Sequence, residues 1–236
     1  MKKLLTLTLL VFPLILFSQT SPQKGFSTAK EDRSRLHLLV MHAKSSVGSS
    51  DNKTPTEMGV IFDNFIDTLS DKRSKVFLYK DFIHNVYSNL YTSAKTSYYL
   101  KNETGEPQIF TYDNGSDVII FNNIMYTSVF NTIKMGERDR AKNILVEVAL
   151  PIIQDIANDI PSNVKYIGLC IAYGSKDFTN EYAFPDGDCL VAVVQSGIAK
   201  KYLSLEITED DLIDKCDIYL STKDFYSKIK KIKIAL

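Results

Sequence analysis

The 236-residue sequence predicts an α+β fold on three observations. Capped amphipathic segments occur beside short apolar runs. Turn-forming residues separate neighbouring runs, and one long helical pattern with a central proline divides the strand-like segments into two groups. The expected arrangement is N-terminal helices and antiparallel strands, then a long Pro-interrupted helix and a C-terminal mixed α/β sheet unit. At 44% hydrophobic and 24% charged, the composition suits a chain that buries a core, and it excludes disorder.

Met1-Lys2-Lys3 precedes a 14-residue uncharged run, Leu4 to Phe17, which is followed by Ser-Gln-Thr-Ser-Pro. This order of charged, apolar and polar regions predicts a secretory signal peptide at residues 1–18. A helix of that length rises about 21 Å, short of the ~30 Å hydrocarbon core, and Pro13 would disturb it further. Export to the periplasm or the outside of the cell is therefore expected, with no transmembrane segment in the mature chain. No cysteine follows the run to carry a lipid anchor.

Residues 19–35 read as a flexible polar leader. Residues 36–236 read as a single α+β domain, or as two packed halves that meet near 131–136. The apolar run at 36–43 suits a buried strand or a short helix, and periodicity alone does not choose. Thr54-Pro55-Thr56-Glu57 combines an N-cap threonine, a first-turn proline and a capping-box glutamate, which predicts a helix through Leu69. Val76, Tyr79, Ile83, Val86 and Leu90 recur at helical steps and predict a second helix over 75–95. Two or three antiparallel strands are expected from 97 to 130, because turn formers interrupt that β-rich stretch at 102–107 and 113–117.

Gly136 opens a third helix, with Ala141, Ile144, Leu145, Val148, Ile152, Ile156 and Ile160 along one face. Pro151 must kink or divide it, since proline lacks the amide donor and clashes with the preceding turn. The runs at 164–173 and 188–195 predict buried strands joined by an aromatic-rich loop. Ser196 is expected to cap a short helix through Tyr202. Thr208 is expected to cap another, with Glu209, Asp210 and Asp211 at its positive end and an Ile207–Leu212 staple. Strands at 217–220 and 229–236 complete the pattern.

Charge and motif searches narrow the function. Without Lys2 and Lys3 the chain carries 26 basic against 28 acidic side chains, so nucleic acid is not an expected partner. Histidine occurs only at His37, His42 and His84. The first two point to opposite faces of a strand or lie about 140° apart on a helix, so no transition-metal clamp is expected. Ser27-Thr28-Ala29-Lys30 and Ser50-Asp51-Asn52 mimic a serine β-lactamase signature. They fall within 28 residues of loop-like sequence, and Pro55 replaces the glycine that signature needs.

The acidic stretches at 113–117 and 186–188 offer too few oxygens for calcium and read as turns. Tyr87, Tyr91, Tyr98 and Tyr99 suit either core packing or a partner surface. The alternating lysines at 228–233 suit a half-buried edge strand protected from aggregation, or a docking stripe for an anionic partner.

Cys170, Cys189 and Cys216 are the three cysteines. Three readings stand: all three are buried free thiols, Cys170 and Cys189 form a disulfide between neighbouring strands, or one cysteine is catalytic, which the lack of any histidine from Asn85 to Leu236 disfavours. No cofactor is expected. The aromatic loop between residues 174 and 187, with Lys176, Asp177, Tyr182 and Phe184, is the expected interaction site, because loops on rigid scaffolds carry recognition. The expected function is a non-catalytic binding or accessory module of the cell envelope that engages an envelope protein or a small ligand. The alternatives are an exported hydrolase whose site assembles from dispersed residues, and an assembly subunit that uses its C-terminal strands for β-augmentation.

Overall fold

The computed structural model describes residues 30–47, 75–92, 97–100, 107–111, 116–222 and 229–234. The signal peptide, the leader up to residue 29, the capped helix at 54–69, most of the acidic stretch at 113–117 and the ends of the lysine tail lie outside the described residues.

Chain order is α1 (Lys30–Ser45), α2 (Lys75–Leu78), α3 (Lys80–Thr92), β1 (Tyr98–Leu100), β2 (Gln108–Thr111), β3 (Asp117–Asn131), α4 (Glu137–Ile144), α5 (Leu150–Ile156), β4 (Tyr166–Lys176), β5 (Asp186–Gln195), α6 (Ser196–Leu203), α7 (Glu209–Lys215), β6 (Asp217–Ser221) and β7 (Lys230–Ile232). The fold is α+β, as the sequence patterning requires. All seven strands form one sheet in the order β1-β3-β4-β5-β6-β7, with β2 also paired to β3. The strands before and after the proline helix thus belong to one sheet. Only β3 and β4 pair in parallel; every other pair is antiparallel.

The parallel pair needs a crossover, and the helix from Glu137 to Ile156 supplies it. Pro151 divides this helix. A π-helical turn, Leu145–Ala149, separates α4 from α5, and the Leu150 amide donates to the Leu145 carbonyl five residues back. The wider turn absorbs the donor that Pro151 lacks, and Leu145, Val148, Leu150, Ile152 and Ile153 all remain buried. Glu147 in the same turn accepts a 2.6 Å hydrogen bond from the Tyr126 hydroxyl on β3.

Helices cover both faces of the sheet. On one side Leu36, Leu39, Val40 and Ala43 of α1 pack over Val118, Ile120, Cys170, Ala172, Cys189, Val191 and Val193. On the other, α3, α4, α5, α6 and α7 bury Ile119, Phe121, Leu169, Ile171, Tyr173, Leu190 and Ala192. Alternate residues of the central strands therefore reach separate cores, which is why β4 and β5 read as continuous apolar runs. Gly187 permits the close seating of α1, because a Cβ there would lie 2.3 Å from the Lys44 carbonyl oxygen.

Several expectations change in detail. The apolar run at 36–43 is helical, and α1 begins at Lys30, inside the segment read as leader. The helix expected over 75–95 breaks at Tyr79 and ends at Thr92. Ser196 does not cap α6: Gln195 is the N-cap residue, and Ser196 is buried in the first turn with no hydrogen-bond partner for its Oγ. Thr208 does cap α7, accepting from the Asp211 amide while the Asp211 carboxylate accepts from the Thr208 amide.

Tyr87 and Tyr98 are core residues, and the Tyr87 hydroxyl donates to buried Asn122 at 3.0 Å; the side chain of Tyr91 lies outside the described residues. Core packing, one of the two readings of this cluster, thus holds for Tyr87 and Tyr98. His37 and His42 lie on α1 and His84 on α3, which pack against opposite faces of the sheet, so the three do not converge. The lysine tail forms the edge strand β7, where Lys231 pairs with Asp217 at 2.6 Å.

Helix α6 ends in a Schellman motif, with Glu206 N donating to Lys201 O at 2.9 Å and Leu205 N to Tyr202 O at 3.0 Å. The motif requires a left-handed residue, and Leu205 occupies that position at φ 60° with its side chain exposed. Leu205→Gly is expected to stabilise the protein by about 1 kcal/mol, read from chemical denaturation, because glycine removes the Cβ clash. No change, or a loss of stability, would contradict this account.

Burial and the Glu147 contact push the Tyr126 phenol up from its ordinary 10.0 to about 12. Burial, aided by Asp217, pushes the Cys216 thiol from 9.0 to about 12. Folding therefore favours the protonated form of both groups. Their contribution is complete below pH 9 and disappears as the pH climbs through about 12. The melting temperature is expected to fall progressively over that window, and a flat profile would refute it.

Candidate functional site

The expected interaction loop projects from one end of the sheet, between β4 and β5, over a buried charge pair. Arg140 of α4 donates to Asp188 of β5 at 3.1 Å, and the two side chains are 2% and 0% exposed. A second Arg140 nitrogen donates to the Met135 carbonyl at 2.8 Å. One guanidinium therefore ties together α4, the turn that follows β3 and the base of the β4–β5 hairpin.

Tyr173 lies across the strand pair from Asp188. Burial and the Asp188 carboxylate raise its phenol well above the ordinary range, while Arg140 opposes the shift. Among the described residues, the Tyr173 hydroxyl, the Ser175 Oγ and Arg140 Nε have no hydrogen-bond partner. The cluster is sealed from the surface. It organises the fold beneath the loop.

The stretch at 186–188, considered as a calcium loop, is the start of β5, with the Asp188 carboxylate committed to Arg140. The described residues contain no group of three or more His, Cys, Asp or Glu side chains able to hold a metal ion.

Above this base the loop is pinned by its own side chains. Asp177 Oδ1 accepts from the Thr179 amide at 2.8 Å and from the Thr179 hydroxyl at 2.6 Å. Those two bonds hold the Asp177 carboxyl below its ordinary value of 3.8. Asn180 Oδ1 accepts from the Tyr182 amide, and the Lys176 ammonium donates to the Glu181 carbonyl. Of the four residues expected to make the site, Lys176 and Asp177 thus shape the loop, and Tyr182 and Phe184 project from it.

Tyr182 is 92% exposed and Phe184 89%. Phe178, Ile133 and Val129 add further exposed apolar surface at the same end of the sheet. Gly174 brings Val129 up to the loop: a Cβ on it would lie 3.0 Å from Val129 and 3.4 Å from Pro185. The Thr132 amide donates to the Lys176 carbonyl and fastens the Ile133 turn to β4.

Sequence reasoning missed Phe178, Ile133 and Val129, and it also missed Arg140. A signal for Arg140 was present, since it stands four residues before Ile144 on the stripe that continues through Val148. A basic residue on an apolar stripe marks a buried charge that needs a partner. No family model, curated protein or solved structure matches the chain.

Removing one partner of a buried pair strands the other charge. Arg140→Met is therefore expected to destabilise the protein by about 3–5 kcal/mol, and Arg140→Met combined with Asp188→Leu to recover most of that loss. A denaturant double-mutant cycle measures both. Additive losses in the double variant would show that the two charges do not act as a pair.

Proposed function

We propose that this protein is an exported, non-catalytic binding module of the cell envelope, and that the β4–β5 loop is its contact surface for an apolar groove on a protein partner. The carrying observation is the near-complete exposure of Tyr182 and Phe184 on a loop whose backbone is held by internal hydrogen bonds. Two aromatic rings left in water gain free energy when a partner covers them, and tyrosine joins an apolar body to a polar tip suited to an interface. The neighbouring Phe178, Ile133 and Val129 widen the apolar contact.

Rigidity supports the same reading. The Asp177–Thr179 and Asn180–Tyr182 bonds order the loop before any partner arrives, so less conformational entropy is lost on association. Export rests on the charged, apolar and polar order at the start of the sequence.

The test is site-specific photo-crosslinking from position 182 in the native exported chain, compared with the same probe at Lys201 on α6. Capture of one protein from position 182 only, reduced at least tenfold by Phe184→Ala with no change in melting temperature, is the expected result. Equal capture from both positions, or capture unaffected by Phe184→Ala, would refute the contact surface. Asp177→Ala is expected to weaken the same capture about threefold to tenfold through loss of preorganisation.

A further inference from the structure

The cysteines of the two central antiparallel strands lie beneath α1, on the face of the sheet opposite the Arg140–Asp188 pair. Cys170 is in register with Val191, and Ala172 with Cys189, so the two thiols are diagonal neighbours on one face. Their sulfurs are 3.4 Å apart, and both residues are buried. Each is a free thiol in this structure. Cys216 belongs to the core on the other side of the sheet and cannot compete for either partner.

We infer that Cys170 and Cys189 are a disulfide-forming pair that staples β4 to β5 at the base of the hairpin carrying Tyr182 and Phe184, when the chain folds with a disulfide oxidant. The observation that carries this is the approach of the two sulfurs across neighbouring strands. A disulfide bond needs about 2.04 Å, so the sulfurs must close by about 1.4 Å.

The chemistry balances as two successive thiol–disulfide exchanges. One cysteine thiolate attacks the oxidant's disulfide, forms a mixed disulfide and expels one thiolate of the oxidant. The second cysteine thiolate then attacks the first cysteine's sulfur and expels the other. Two electrons pass to the oxidant, and the two protons released by the cysteines end on its thiols.

Burial sets the timing. A thiol must be reached and ionised to exchange, whereas the Cys170 contact and burial both push the Cys189 thiol well up, with Lys44 opposing. Closure therefore belongs to folding, before α1 seats over β4 and β5, and the finished fold shields the bond from reductants. The staple encloses the whole loop between Cys170 and Cys189, including Tyr182 and Phe184. It acts on the sheet face opposite the charge pair, so the hairpin base is held from both sides.

The full chain is refolded from denaturant in oxidised and reduced glutathione and, separately, in excess dithiothreitol. Both samples are then denatured, alkylated, digested and analysed by mass spectrometry. In the glutathione sample we expect a Cys170–Cys189 linked peptide about 2 Da lighter than the sum of its two unalkylated reduced peptides, and alkylation at Cys216 alone. Its melting temperature is expected to exceed that of the reduced sample by about 5–10 °C. Cys170→Ala is expected to fold under both conditions and to abolish the difference between them.

Three alkylated cysteines after oxidative refolding, or a link that uses Cys216, would overturn the pairing. A closed bond with no rise in melting temperature would overturn the staple, as would a redox-dependent shift that survives in Cys170→Ala. The result is independent of partner capture, so either proposal can fail without the other.

Discussion

The buried contact between Arg140 and Asp188 is the constraint on which this end of the molecule depends. Two charges 48 residues apart are removed from water together, which is tolerable because each is paired with the other. The second arm of Arg140 reaches the Met135 carbonyl, so the pair also sets where the turn after β3 lies relative to the β4–β5 hairpin. Tyr173 and Ser175 line the same face, their hydroxyls without a partner at hydrogen-bonding distance among the described residues. A purely apolar replacement could fill the space, but it would not specify which turn meets which hairpin.

The crossover that delivers Arg140 carries its own constraint. Placing β4 parallel to β3 requires a helix long enough to return along the sheet, yet Pro151 interrupts the run that forms it. The π turn at Leu145–Ala149 resolves the conflict by widening the helix one turn early, while the apolar stripe on either side stays buried. Tyr126 and Glu147 then bond β3 to that turn.

Because helices cover both faces of the sheet, little of it remains for recognition, and Val129, Ile133, Phe178, Tyr182 and Phe184 place exposed apolar surface at this end of the strands. The loop from Asp177 to Pro185 joins a firmly paired base to internally bonded turns, a combination that presents side chains without letting the backbone wander. Gly174 and Gly187 serve the same end in different ways. Gly174 admits Val129 beside the loop, and Gly187 admits the last turn of α1 against β5.

What the sequence determined by itself was local: the α+β class, the capping box at Thr208, the division of the long helix at Pro151, the buried strands around Leu169 and Val191, and the exposed loop with Tyr182 and Phe184. Each depends on propensities and periodicities within a few residues, so it can be read along the chain. The tertiary structure alone decided that the strands on both sides of the crossover share one sheet. It also decided that the histidines fall on opposite faces, that Tyr87 and Tyr98 face the core, and that Lys176 and Asp177 serve the loop's own backbone. Asp188 resembled a turn residue until Arg140 was brought against it, and Cys170 met Cys189 only through the register of β4 and β5. The spacing marked Arg140 as a charge in need of a partner and set the two cysteines in neighbouring strands, but which groups met was decided by strand order and register, which depend on the packing of the whole chain.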